Sequence, residues 1–169
     1  MNGFTENRVP GAYERPGPND LVLTWGATHA MLPLVGRIVA DMMAGHERLA
    51  QLRPERDRLD SQRNTLTWPQ RSRRYQVQEE LAAVEKDLQE AYAELEVLGV
   101  VALHGASGLI GFPTIVNDRR AFFSWRPGED DVVFWNFSGD PVRHAVPESW
   151  TKSPPVPRSR RGKSRRQKS

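Results

Sequence analysis

At 169 residues, with 24 Lys or Arg against 21 Asp or Glu and no cysteine, the chain suits one domain with tails. The missing cysteines exclude disulfides and cysteine-based zinc or iron–sulfur sites, and an apolar share of 38% without Gly, against roughly 45–50% with Gly included in ordinary globular chains, leads us to expect that part of the chain carries no core. No basic start leads into an apolar run, and the most apolar stretch, residues 30–44, is interrupted by Arg37 and Asp41, so the sequence reads as cytoplasmic, with no signal peptide, no membrane partner and no cofactor.

Residues 1–20 mix Pro, Gly, Asn and charges without period and are expected to be disordered. A single α+β domain is expected over residues 21–150. Thr24 is placed to cap a first helix over about residues 24–64. Its apolar positions Leu32, Val35, Val39, Met42, His46 and Leu49 keep a helical rhythm that resumes at Leu52, Leu59 and Leu66. Pro33 and Pro54 fall inside this pattern. Each removes a backbone donor and crowds the carbonyl four residues earlier, which predicts kinks or breaks. "NTLTWPQ", residues 64–70, reads as the turn into a second helix over about residues 72–98. There Val77, Leu81, Val84, Leu88, Ala91, Leu95 and Leu98 alternate steps of four and three, and Gly99 suits the positive φ of a helix C-terminus. Two long helices joined by a short turn form an antiparallel hairpin. The same stripes would also serve a homodimer.

From residue 100 to 137 the pattern becomes short extended runs, predicted as a three- or four-stranded antiparallel meander packed on the helices. Asn117-Asp118 reads as one hairpin turn, and Arg126-Pro127-Gly128-Glu129 fits a type II turn, with Pro and Gly at its two centres. The stretch 122–137, "FFSWRPGEDDVVFWNF", holds six of the fourteen aromatic residues. With a loop at Arg126–Asp131, Trp125 pairs with Val132 and Phe123 with Phe134. Large apolar groups then occupy both faces of the ribbon, and a slip of one residue leaves that unchanged. Burying each ring stabilises by about 1.5–3 kcal/mol, so the second face needs a cover. The start of the first helix with Trp25, or the segment ending at Trp150, is expected to supply it.

Residues 151–169 form the expected disordered basic tail: from Lys152 onward they hold eight Lys or Arg and no acid. Setting those eight aside from the 24 leaves 16 basic against 21 acidic residues, so the body is acidic and the tail carries the positive charge. Arg158, Arg160, Arg161, Lys163, Arg165, Arg166 and Lys168 are the expected contacts to nucleic acid. Engaging about five to eight phosphates would give a slope of log affinity against log salt of roughly −4 to −7 on a duplex. No aromatic is interleaved with these cations, so sequence readout is not expected from them.

Five pieces in order resemble a bacterial family catalogued as domain of unknown function 2203, over roughly residues 21–147. They are Thr24 followed by Leu32-Pro33, Leu98-Gly99-Val100, Gly108-Leu109-Ile110-Gly111-Phe112, Trp125 to Glu129, and Phe134-Trp135-Asn136. The resemblance implies a helical hairpin followed by strands and supplies no activity. Gly111 stands where the family carries Asp and Asn136 where it carries His, while Gly26 and Ala27 replace a Glu pair. A polar or metal site built on that Asp and His would be lost here.

No catalytic set or metal site is assigned. Glu129, Asp130 and Asp131 read as a solvated turn, Glu129 having the structural task of bonding the turn or Arg126. The histidines His29, His46, His104 and His144 have no zinc-type spacing, and His46 reads as a half-buried packing residue. The binding candidates are Trp125, Arg126, Glu129, Trp135, Asn136, Arg143 and His144. The first functional reading is a non-catalytic interaction module whose tail contacts nucleic acid or another polyanion. The second is a small enzyme or metal-binding protein with a site near Glu129, His104 and His144.

Overall fold

The computed structural model describes residues 16–152, so the seven tail cations from Arg158 to Lys168 lie outside the described residues. Thr24 takes an extended conformation and its Oγ1 accepts from the Ala27 N–H at 3.2 Å, opening helix α1 (Trp25–Ser61). This helix runs through both prolines without interruption. Pro33 and Pro54 are exposed, and the carbonyls they deprive of a donor belong to the exposed residues His29 and Ala50, where water can serve them. The expected breaks are therefore absent.

Helix α2 (Trp68–Val97) begins four residues earlier than the sequence suggests. Pro69 is the reason: in the first helical turn the missing N–H is no loss, and the Thr67 N–H donates to Gln70 Oε1 at 2.8 Å. The stripes of α1 and α2 meet, burying Val35, Val39, Met42, Leu49, Leu52 and Leu59 against Val77, Leu81, Leu88, Ala91 and Leu95. Across the outside, Arg73 binds Glu55 at 2.8 Å and Glu80 at 3.0 Å, and Arg74 binds Asp60 at 2.5 Å, tying the far ends of the helices together. Gly99 then turns the chain with φ +73.

The sheet has five antiparallel strands in sequence order: β1 (Val101–His104), β2 (Leu109–Val116), β3 (Arg119–Trp125), β4 (Phe134–Phe137) and β5 (His144–Ala145). The last two-residue strand and a short helix α3 (Glu148–Thr151) extend the expected meander. A 3₁₀ turn, Gly105–Ser107, separates β1 from β2, and Asn117-Asp118 makes the β2–β3 turn with φ of +52 and +58. The Arg126–Glu129 turn closes with the Glu129 N–H on the Arg126 carbonyl at 3.2 Å and Gly128 at φ +98.

The β3–β4 register differs from expectation: Phe123 faces Trp135 and Ser124 faces Phe134, while Trp125 and Val132 do not pair. Val132 is claimed from elsewhere. Its carbonyl accepts from Trp25 Nε1 at 2.9 Å, and its N–H donates to Asp131 at 2.7 Å. Consequently Ile110, Phe112, Phe123 and Trp125 join the helical core. Trp150 packs edge-on to Phe123 and 5.5 Å from Trp135, so both expected covers, Trp25 and Trp150, attach to this same side. The opposite face carries Phe122, Ser124, Phe134 and Asn136. It is sealed differently, by the polar cluster described next and, at its other end, by Asp20, which binds Arg120 at 2.8 Å.

Candidate functional site

Ser124 is fully buried on the sheet face away from the helices, because β3 alternates and Phe123 and Trp125 take the core side. Arg143, just before β5, reaches over β4 to it: Nε donates to Ser124 Oγ at 3.0 Å and an Nη to the Ser124 carbonyl at 2.9 Å. The guanidinium also covers the Phe134 ring at 4.4 Å and grips Glu129 with two bonds, of 2.6 and 2.9 Å. Glu129 in turn accepts from the Arg126 N–H at 3.2 Å, and its own carbonyl accepts from Trp125 Nε1 at 3.0 Å. Burial works to raise the Glu129 pKa. The Arg143 hydrogen bonds, the Arg126 N–H and the two positive charges outweigh it and hold the carboxyl below its ordinary value. Trp125, Arg126, Glu129 and Arg143 therefore meet in one cluster, and its acid and base are occupied by each other.

The other sequence candidates lie apart from it. Asn136 is buried on the same face, with Nδ2 donating to the carbonyls of Phe137 and Asp140 at 3.0 and 3.1 Å, which ties down the turn after β4. Trp135 points to the core side, between Phe137, Trp150 and His144. His144 sits on β5 and His104 on β1, the two edges of the sheet. Four strand spacings of about 4.8 Å separate these edges, so the two histidines and Glu129 do not converge. His104 instead closes the 3₁₀ turn, with Nδ1 2.7 Å from Ser107 Oγ. Among the described residues, no group of three or more His, Asp or Glu is arranged to hold a metal ion. Gly111 and Asn136 share the outer face on either side of β3. A Cβ at Gly111 would come within 2.8 Å of the Phe122 ring, so that ring fills the space a larger side chain would need.

One polar pair escaped sequence reasoning. His46 Nε2 lies 2.8 Å from Tyr92 Oη, across the α1–α2 seam and against Gly105, whose Cβ would fall 1.9 Å from that hydroxyl. Tyr92 lies off the apolar stripe, and the two residues are 46 positions apart, so no local pattern signals the pairing. The pair adjoins an open, mostly apolar groove of about 650 Å3 bordered by Gly36, Ala40, Met43, His46, Trp125 and Pro127. Burial, then the charges of Arg53 and His104, lower the His46 pKa, and burial raises that of Tyr92, so both rings stay neutral at pH 7. A histidine with a depressed pKa binds its proton more readily when unfolded. Its contribution is thus complete above about pH 6.5 and is lost as pH falls below that value. Urea titrations from about pH 8 to about pH 5 should show a steeper loss of stability for the natural chain than for His46→Gln. Equal slopes would mean that the imidazole is not held neutral.

The family model described as an uncharacterized conserved protein, DUF2203, matches residues 22–140, which takes in both long helices and strands β1 to β4. No curated protein and no solved structure matches the chain. Among the described residues, no helix is long and apolar enough to cross a membrane. With well over half its length inside that match, and with the Thr24 cap, the Gly99 turn and the Trp125–Glu129 turn all formed, this chain belongs to the DUF2203 family.

Proposed function

We propose that this protein is a non-catalytic interaction module that meets nucleic acid or another polyanion through residues 152–169. The observation that carries this reading is the split of charge along the chain: eight cations and no acid in that segment, against an acidic remainder. Eight like charges in eighteen residues repel one another and attract a polyanion by releasing its counterions. The sheet cluster supports the non-catalytic half, because Glu129 already spends both carboxylate oxygens on Arg143.

The test is a full-length chain in which Arg158, Arg160, Arg161, Lys163, Arg165, Arg166 and Lys168 are changed to Gln. For the natural chain, duplex DNA affinity should fall with salt at a log–log slope of roughly −4 to −7, and the neutralised chain should lose most of that slope. An unchanged slope would remove the tail from the binding. Sedimentation of the same samples reports whether the module is a monomer or the homodimer that the helical stripes also permit.

A further inference from the structure

The end of the helical hairpin farthest from the sheet has a composition unlike the rest of the body. Between Arg53 and Tyr75 the chain places seven arginines against three acids. Four of the arginines are committed: Arg53 to Glu85, Arg56 to Asp57, Arg73 to Glu55 and Glu80, and Arg74 to Asp60. The other three, Arg58, Arg63 and Arg71, are exposed and have no carboxylate within ion-pair distance among the described residues. The same stretch of chain carries the two most exposed aromatic side chains among the described residues, Trp68 at 75% and Tyr75 at 62%. Trp68, Arg71 and Tyr75 are spaced i, i+3 and i+7 on α2, so they occupy one face, while Arg63 lies in the connecting turn and Arg58 in the last turn of α1.

Nothing in the fold requires this arrangement. Trp68 is left in water although most large apolar groups of the chain are at least half covered, and the turn is anchored without it by Leu66, which is buried. The Arg73 and Arg74 bridges join the two helix ends without using any of these side chains. Flat rings flanked by unneutralised guanidinium groups are the pairing that single-stranded nucleic acid recognises: bases stack on the rings, and the cations take the phosphates. A duplex keeps its bases stacked inside and offers the rings nothing.

We propose that the tip of the helical hairpin, through Trp68, Tyr75, Arg58, Arg63 and Arg71, is a binding site for single-stranded nucleic acid. It is separate from the basic tail and does not depend on it. The probes are fluorescein-labelled oligothymidylate and oligouridylate, which share the phosphate and base chemistry and separate DNA from RNA, with a duplex of equal length for comparison. In the full chain both single strands should bind more tightly than the duplex. Trp68→Ala with Tyr75→Ala should weaken single-strand binding at least tenfold and leave duplex binding unchanged, since each stacked base contributes about 1–3 kcal/mol. Arg58→Gln with Arg63→Gln and Arg71→Gln should flatten the single-strand salt slope by about 2. All five side chains are exposed, so unaltered thermal unfolding confirms that the variants fold.

Single-strand affinity within twofold of the natural chain in the Trp68/Tyr75 variant would overturn the proposal. So would a change of sedimentation in that variant alone, which would identify a second copy of the chain as the occupant of the tip. The tail-neutralised chain separates the two sites. If it keeps its single-strand preference while the tip variant loses it, the tip stands, whatever the duplex salt slope decides about the tail; the reverse pattern overturns the tip alone.

Discussion

Gly108→Ala should lower the unfolding free energy by about 2–5 kcal/mol, through two effects that add. The residue sits at φ +70, where an L side chain costs roughly 1–2 kcal/mol. It is also buried at the junction of three elements. A Cβ there would approach Met43 Sδ at 2.6 Å, Pro127 Cδ at 2.9 Å and Val39 Cγ1 at 2.9 Å. Val39 is fully buried and Pro127 belongs to a closed turn, so neither moves without disturbing its own packing, which adds about 1–3 kcal/mol. The measurement is urea unfolding, in which the midpoint should fall with the slope unchanged. Gly128→Ala is the matched comparison: at φ +98 it shares the backbone cost, but no atom lies within 4 Å of its Cβ. If the two variants lose equal stability, the close approach at Gly108 is not what demands glycine.

Arg143→Met should cost about 2–4 kcal/mol, somewhat less than the loss of one partner from a fully buried ion pair. Arg143 and Glu129 are 18% and 12% exposed, so solvent screens part of the change. What remains is a largely covered carboxylate whose nearest cation, Arg126, is 62% exposed and 3.3 Å away, and a buried Ser124 hydroxyl without its donor. The sign of the pH dependence should reverse as well. In the natural chain the depressed Glu129 pKa contributes stability above its ordinary range, and that is lost as pH falls through the folded-state value. In the variant, burial dominates and raises the pKa, so the protonated form is favoured in the fold and acidification through the carboxylate range becomes less harmful. Adding Glu129→Gln should recover part of the loss, because a neutral amide needs no counter-charge. A double variant as unstable as the two single losses summed would show that Arg143 and Glu129 act independently.

The helices were legible because the apolar period is carried by neighbours three and four residues apart, and Thr24 and Gly99 mark their ends within a few residues. The breaks expected at the prolines are absent for a reason that local sequence does not carry: whether a carbonyl freed by Pro33 or Pro54 is costly depends on which side of the helix faces water. The register of β3 and β4 failed similarly. Alternation of aromatics fits two pairings equally well, and the choice is made by Trp25, 107 residues away, which holds the Val132 carbonyl. At the candidate site, the turn chemistry of Pro127, Gly128 and Glu129 could be read directly. The Ser124 and Arg143 partnership could not, since it requires knowing that both lie on the outer face, with β4 between them. Trp68 was read as part of a turn, and its exposure is a property of the packed hairpin rather than of the tripeptide around it.

The sheet's margins carry a consequence for how this family member meets other chains. β1 is four residues long with an irregular register between Ala102 and His104, and β5 is two residues long. Neither rim offers a row of unpaired amides and carbonyls long or flat enough to template a foreign strand. Recognition by strand addition is thereby discouraged, and so is the fibrous self-pairing that an aromatic-rich sheet would otherwise invite.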